Sequence, residues 1–378
     1  MRILHVISSL TANSGGPAVS TLLPVRYLDG QGEDIKILTF QPSPRETALS
    51  KEPYVLYLPE NWGWRKRIGY SFYLKLALRA DNFTEIYHIQ GLWQYTSYIA
   101  ACTALRRNKP YVITLRGMLY PQALQKSKIV KKLALSLYQR RQLQEASCVQ
   151  VTCEEELGYY REMGFTNPVA IIPNPVEFDP EVITTGEDDG VKRFGYLGRI
   201  HPRKHIERLI DCWQRLDEPG ELVIIGDGEP QYVNYLKKKV SKAGLKRVRF
   251  TGLVTGKEKN RLLASLSCLV VPSDFENFGR IIPEALVQGT PVIASKGTPW
   301  KELETNLCGW WVDNDPDTLT ATIREVSLLA KSALDEMGEN GRRLVLERYS
   351  VEVVSDQMLQ CYKWLKGMVG KPDFVFTE

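Results

Sequence analysis

One pattern, used twice, constrains this chain most: short apolar runs of four or five residues, each closed by glycine, proline or a polar residue, with helical segments between them. Runs this short and this continuously apolar suit strands buried on both faces, and helical crossovers between such strands make a parallel sheet. The first half predicts strands at Ile3–Ile7, Ile35–Thr39, Ile86–Ile89, Tyr111–Thr114 and Cys148–Val151. The second half restarts the alternation at Arg193–Leu197, Leu222–Ile225, Val248–Thr251, Leu269–Val271 and Pro291–Ala294. Between them, residues 174–192 (NPVEFDPEVITTGEDDGVK) carry prolines, glycines and acids without any period, as a linker does. A length of 378 residues also exceeds one ordinary core. The expectation is an α/β protein of two Rossmann-like domains.

Bulk properties narrow the function. Seven cysteines are scattered without C-x-x-C spacing, several inside apolar strands, which suits free thiols in a reducing, cytoplasmic setting. No apolar run is long enough to span a bilayer, and MRILHVISSL is too short and interrupted for a signal peptide. The net charge of +5 is uneven: residues 1–173 hold 21 Lys and Arg against 13 Asp and Glu, so an anionic partner belongs with the first half. Nucleic acid is not expected, because no zinc spacing or stacking-aromatic pattern accompanies the charge.

Chemistry concentrates in Cys268–Ala294, CLVVPSDFENFGRIIPEALVQGTPVIA, where two strands flank a loop and a helix expected to begin near Phe278 or Gly279. Glu276 on the loop and Glu284 on the helix then face the space outside the carboxyl ends of the strands, where open α/β sheets bind ligands. Carboxylates can accept hydrogen bonds from adjacent hydroxyls, and free N–H groups at a helix start attract phosphate. Gly198-Arg199-Ile200-His201-Pro202-Arg203-Lys204 follows the first strand of this half, and its two cations Arg199 and Lys204 suit a diphosphate. In the first half Gly15-Gly16-Pro17 leads into a helix over Ala18–Leu28, but G-x-G-x-x-G is absent, which disfavours an NAD-linked oxidoreductase. Polar residues gather at the strand ends: His88 with Gln90-Gly91-Leu92-Trp93, Arg116-Gly117, then Thr152 and Glu154. Asp313-Asn314-Asp315 formally matches a metal-binding D-x-D, yet Asp315 before Pro316 reads as the N-cap of a helix, so no metal site is assigned.

Glu276, seven intervening residues and Glu284-Ala285, with Gly289, Pro291, Val292 and Ala294 following, resemble the E-x7-E segment of retaining GT-B glycosyltransferases of family 4. The likeness extends over nearly the whole chain. It implies two Rossmann-like domains with parallel sheets facing a central cleft: residues 1–175 for the acceptor and 176–349 for a nucleotide-sugar donor, with a helix near 350–366 in a C-terminal segment (350–378) crossing back to the first. By that resemblance Glu276 contacts the donor sugar near its 3-hydroxyl, Glu284 grips the ribose diol, and Arg199 and Lys204 hold the diphosphate. Gly16, Leu253, Asn277, Phe278 and Gly279 complete the donor site; Gly15, Trp93, Arg116 and Gly117 shape the acceptor cleft. Where many members carry a His before the strand-end Gly, this chain has Arg116, which cannot act as a base near neutral pH. His88 is then the candidate catalytic histidine, while His5 inside the first strand reads as core. His205 stands where the family often has Gly, and Asn174-Pro175 where it usually has Asn-Gly.

The resemblance implies transfer of a hexosyl residue from a UDP- or GDP-sugar to a saccharide acceptor, carried on polyprenyl diphosphate, in surface polysaccharide or lipopolysaccharide biosynthesis. No cofactor and no metal are implied. A sugar-nucleotide epimerase of the same fold and a non-catalytic nucleotide-sugar binder remain alternatives. A peripheral place on the anionic inner face of the plasma membrane is also expected. Trp62 and Trp64 beside Arg65-Lys66-Arg67, and the segment from Lys126 to Arg141, pair basic with apolar residues as interfacial surfaces do. The alternative for that segment is a solvated helix that packs Ile129, Val130, Leu133 and Leu137 into the core.

Overall fold

A computed structural model describes residues 1–59, 68–180 and 190–377. Trp62, Trp64 and the basic triplet 65–67 lie outside the described residues, as does 181–189 of the linker. The chain forms two compact units, Met1–Pro175 with Val351–Glu378, and Val176–Ser350.

In the first unit the strands are β1 (Ile3–Val6), β2 (Ile35–Phe40), β3 (Val55–Leu58), β4 (Ile86–Gln90), β5 (Tyr111–Thr114), β6 (Cys148–Val151) and β7 (Val169–Ile171). The second unit holds β8 (Arg193–Leu197), β9 (Glu221–Ile225), β10 (Val248–Gly252), β11 (Cys268–Val271), β12 (Val292–Ser295) and β13 (Gly309–Val312). A last short strand, β14 (Val375–Phe376), returns to the first sheet. Among the described residues the sheet orders are β14-β7-β6-β5-β4-β1-β2-β3 and β10-β9-β8-β11-β12-β13. All pairings are parallel except β14 on β7. Both orders reverse beside their first strand, β1 or β8, which is the doubly wound arrangement that opens a crevice at the carboxyl ends.

Burial explains the registers. Every residue of β1, β4, β5, β6, β11 and β12 is buried, so each of these strands is sealed on both faces by helices. Four strands were not anticipated: β3 (VLYL) and β13 (GWWV) carry apolar runs of four residues but lie at sheet edges and are only partly buried, while β7 and β14 are three and two residues long. The helix Val351–Leu365 belongs to the first unit, where Val354, Met358, Cys361 and Tyr362 join the core below β1 together with Ala18, Leu22 and Val25 of the helix Gly16–Gly30. All seven cysteines are free.

Among the described residues no helix is long and apolar enough to cross a membrane. The segment from Lys126 is a short helix, Lys128–Ala134, that runs through a π-helical turn, Leu135–Gln139, into Arg140–Gln144. Its apolar residues do not pack inward: Ile129, Val130, Leu133 and Leu137 are all exposed. The solvated-helix alternative is thereby overturned.

Candidate functional site

In the second unit the functional residues meet where the loops after β8, β11 and β12 leave the sheet. After β8 the chain turns through a single 3-10 turn, Pro202–Lys204, and His205 takes a left-handed conformation at φ 50°. That backbone is the one glycine adopts without cost, which accounts for the glycine common at this place. Here the imidazole Nε2 engages the Asp274 carboxylate, and Nδ1 lies 3.4 Å from Glu207. Lys204, one residue earlier, pairs through Nζ with Glu276, whose Oε1 also accepts from the Ser273 hydroxyl at 2.8 Å. Two consecutive residues of one loop thus grip two carboxylates of the next. Asp274 is held further by Arg208 at 3.0 Å and by the Asn314 amide at 2.8 Å. Burial pushes the Asp274 carboxyl up, but His205 and Arg208 outweigh it and keep it below its ordinary range.

The loop from Asp274 to Glu276 lies against the exit of β12, where the Glu276 N–H donates to the Gly297 carbonyl at 2.8 Å. A Cβ on Gly297 would stand 2.3 Å from the Asp274 carbonyl, so only glycine permits this approach. The turn after β9 crosses the turn after β8 as closely: a Cβ on Gly226 would meet the Gly198 carbonyl at 1.9 Å, and one on Gly228 the Ile200 carbonyl at 1.9 Å.

Glu284 sits on the helix Ile281–Leu286 and is clasped from two sides. Lys259 Nζ, from the helix Gly256–Ala264, reaches Oε2 at 2.9 Å, and Arg280 reaches Oε1 at 3.3 Å. Burial raises the affinity of this carboxyl for its proton; the two cations more than offset that and hold it below the usual carboxylate range. Glu284 is therefore an ionised, oriented acceptor at neutral pH.

The first unit has a polar interior of a different kind. Arg116 stands at the end of β5 at φ 55°, and its guanidinium donates to Ser20 (2.6 Å), Thr21 (2.8 Å), Gln90 (2.6 Å) and Asn174 (3.4 Å). Gln90 then donates to His5 Nδ1 (3.2 Å), and Tyr362 Oη lies between His5 Nε2 (3.0 Å) and His88 Nδ1 (2.6 Å). His88 Nε2 faces Thr114 Oγ1 at 2.7 Å, Thr114 donates to Gln150 Oε1 at 2.8 Å, and Gln150 donates to the Ile172 carbonyl at 3.0 Å. One assignment satisfies every member: His88 protonated on Nε2 and His5 on Nε2, with Tyr362 accepting from His5 and donating to His88. Both histidines are neutral. Burial, with Arg116 nearby, draws His5 down to about 3, and burial together with His5 and Arg116 holds His88 well below its ordinary value.

The predicted residues fall into distinct places. Glu276 and Lys204 are in direct contact, Glu284 is nearby in sequence on the following helix, and Asn277 and Gly279 lie on the loop between. Arg199 is exposed and its side chain has no partner among the described residues; only its carbonyl is engaged, by Tyr196 Oη at 3.0 Å. Leu253 is exposed after β10, Gly15 precedes the helix Gly16–Gly30, and Trp93 and Gly117 sit at the ends of β4 and β5. Three expectations are corrected. The helix that carries Glu284 begins at Ile281, not at Phe278 or Gly279, and has six residues. Phe278 is 5% exposed, packed on Trp300 and Tyr349, with its carbonyl bonded by the Trp300 indole, so its side chain belongs to the core. His88 is 1% exposed with both ring nitrogens occupied, which removes it from the catalytic candidates.

Several contributors went unseen in the sequence. Arg280 carries a signal, four residues before Glu284 on one helical face. Ser273 and Asp274 lie beside Glu276 on its own loop and were passed over, whereas Lys259 carries no signal, since only the fold brings it to Glu284. Glu156 is also missed: it is buried in the first turn of the helix Glu154–Glu162 and accepts from Thr152 N (2.9 Å), Thr152 Oγ1 (3.1 Å) and Gly117 N. Burial raises its pKa above the ordinary value against those hydrogen bonds.

Asp313-Asn314-Asp315 is not assembled as a chelate. Asp315 accepts from Asp317 N (3.0 Å) and Thr318 N (2.9 Å) as the cap of the helix Pro316–Leu328, Asp313 pairs with Lys296 at 2.7 Å, and Asn314 binds the Pro272 carbonyl.

Two doubly wound sheets, the second carrying a glutamate pair and a cation turn at its carboxyl ends, define the class: a two-domain α/β protein of GT-B type. Comparison with known proteins agrees. Residues 15–175 match the model of the glycosyl transferase 4-like domain, and residues 179–344 that of glycosyl transferases group 1. The chain belongs to the GT-B glycosyltransferases of family 4. Among curated relatives, an uncharacterized glycosyltransferase of Methanocaldococcus jannaschii is 29% identical over 52% of this chain and 54% of its own length. A GDP-mannose-dependent alpha-mannosyltransferase of Mycolicibacterium smegmatis is 30% identical over 51% of this chain and 48% of its own. The chain spans about half the length of the curated relatives it matches. Among solved structures, HepE of Anabaena in complex with UDP and glucose superposes with a TM-score of 0.74 at 18% identity, over 96% of this chain and all of that one. That likeness is one of fold.

Proposed function

We propose that this glycosyltransferase moves a hexosyl residue from a UDP- or GDP-sugar, with retention of configuration and without a metal ion, to a lipid-linked saccharide of a surface polysaccharide. The observation that carries the reading is the Lys204–Glu276 pair, with Glu284 held ionised eight residues on. Without donor, Lys204 and Glu276 neutralise each other. A bound donor replaces both halves of the pair: its diphosphate takes Lys204, with Arg199 beside it, and its sugar hydroxyls take Glu276. Two acceptor positions on Glu284 suit the two hydroxyls of a ribose. The cations stabilise charge on the departing diphosphate where a divalent metal would otherwise do so. The bond from the anomeric carbon to the phosphate oxygen breaks, the acceptor oxygen bonds to that carbon on the same face, and the acceptor proton passes to the departing phosphate oxygen. This path needs no protein base, in keeping with Arg116 at the strand end and with His88 sealed in the core.

A relative named as GDP-mannose-dependent and a fold neighbour solved with UDP support a nucleoside diphosphate sugar of either base. The test is a pair of variants. Glu284→Ala weakens donor binding in a titration, whereas Glu276→Gln lowers kcat more than it raises the donor KM, because sugar contacts that tighten at the transition state act on the rate. Equal turnover for wild type and Glu276→Gln refutes the assignment.

A further inference from the structure

In a soluble protein a helix turns its apolar stripe inward. The segment Lys128–Gln139 does the reverse: Ile129, Val130, Leu133 and Leu137 are 77, 67, 56 and 78% exposed. Their spacing, one face of a helix, makes them a stripe and not scattered residues. The charge around them is one-sided. From Ile86 to Gln144 the chain runs 59 residues without an acid and with ten Lys and Arg, of which Lys126, Lys128 and Lys132 flank the stripe in sequence and are exposed.

The stripe is also firmly mounted. Lys131, unlike its neighbours, turns inward, donating to the Ala123 carbonyl at 2.6 Å and lying 5.6 Å over the Trp93 ring. The π-helical turn then presents two consecutive side chains to one residue: Tyr138 Oη donates to the Trp93 carbonyl at 3.1 Å, and Trp93 N–H donates to Gln139 Oε1 at 3.0 Å. Trp93 itself stands at φ 72°, a conformation that a bulky residue keeps only when its surroundings enforce it. Widening the helix by one residue here lets Tyr138 and Gln139 reach the end of β4 while Leu137 stays outward.

We propose that this face docks the first unit on an anionic lipid bilayer, with Ile129, Val130, Leu133 and Leu137 entering the headgroup boundary and Lys126, Lys128 and Lys132 facing the lipid phosphates. The inference deepens the reading of a lipid-linked acceptor, on which it rests. An exposed apolar stripe with cations and no acids matches a continuous anionic surface; a protein partner would bring charges of both signs and a bounded outline. Mounting the stripe on Trp93 fixes the end of β4 at a set height above the bilayer, so a saccharide on a membrane lipid meets that strand end without leaving its anchor.

The test is sedimentation of the full chain with vesicles of phosphatidylcholine, alone or with half phosphatidylglycerol. Wild type is expected to pellet with the anionic vesicles in low salt, to stay in solution with the neutral ones, and to be released as salt is raised. Each lysine near such a surface is worth roughly fivefold in partitioning, so the triple change Lys126→Gln, Lys128→Gln and Lys132→Gln lowers it roughly a hundredfold. Ile129→Gln with Leu137→Gln abolishes insertion. Both variants keep the wild-type circular dichroism and the wild-type stabilisation by nucleotide sugar, a property assigned to the second unit, so failure of docking is separable from failure of the glycosyl-transfer reading. Wild type that ignores anionic vesicles in low salt overturns the proposal. So does binding that the lysine variant leaves unchanged, or a concentration-dependent dimer that Leu137→Gln dissolves, which would make the face an interface between copies.

Discussion

Acid should loosen the first unit through two residues, His5 and His88, and the size of the effect follows from their burial. Both are under 2% exposed and both are neutral in the folded chain, His5 drawn down to about 3 and His88 well below its ordinary value. In the unfolded chain each binds a proton near pH 6.5. Between about pH 3 and 6.5 the unfolded state thus holds more protons than the folded one, so stability is fully present above pH 6.5 and falls as pH drops below it. At pH 5 the solution is about 1.5 pH units below the unfolded pKa, so neutral His5 alone costs about 2 kcal/mol, and His88, shifted in the same direction, adds to that loss. The groups facing the pair add no compensating anion: Arg116 is a cation, Tyr362 is held protonated by burial, and Gln90, Gln150 and Thr114 are neutral. Buried Glu156 works in the opposite sense, favouring the fold as pH falls toward its ordinary carboxylate value from above, and because wild type and variant both carry it the comparison between them cancels it. The assay is urea unfolding at pH 7 and pH 5 for wild type and for the double change His5→Gln with His88→Gln. Wild type should lose at least about 2 kcal/mol more than the variant over that interval. Equal losses would show that the histidines are not held neutral and would refute the hydrogen-bond order assigned here.

Lys259→Met removes the cation 2.9 Å from Glu284 and lets burial raise that carboxyl, so donor KM should rise and rise further toward acid pH, while wild type holds its affinity to lower pH; a pH profile of donor binding checks this. Phe278→Ala empties a site 5% exposed between Trp300 and Tyr349 and should cost about 3–5 kcal/mol in denaturant unfolding, the signature of packing and not of donor contact. Transfer activity should survive a strong chelator, because Lys204 and Arg199 serve the diphosphate; loss on chelation with recovery on adding magnesium or manganese refutes the metal-free reading.

How much of this was legible in the chain depends on whether a feature is local. Tyr111–Thr114, Cys148–Val151 and Arg193–Leu197 are legible to the residue, because a strand buried on both faces is written as a short, mostly apolar run. β7 and β14 are too short to show a run, whereas β3 (VLYL) and β13 (GWWV) have one that carries no sign of the strand it pairs with. Glu276 and Glu284 stand out by spacing, and Asp315 by the proline after it. Their partners do not: Lys204 lies 72 residues from Glu276, and Lys259 lies 25 from Glu284. No periodicity links positions so far apart.

The sequence by itself determined the two parallel sheets, the break between them and the family, because strand burial, helix capping and the glutamate spacing are set by neighbours within a few turns of chain. Only the tertiary structure decided which side chains are sealed into the interior and which stay open. His88 and Phe278 looked equally available as letters, yet one closes a hydrogen-bonded chain to Tyr362, 274 residues away, and the other fills the core beside Trp300. The same holds for Ile129, Val130, Leu133 and Leu137. Their spacing fits a buried stripe as well as an exposed one, and the choice rests on what the fold sets against them: the inward anchors Lys131, Tyr138 and Gln139 all seize Trp93, and that turns the apolar face to the outside.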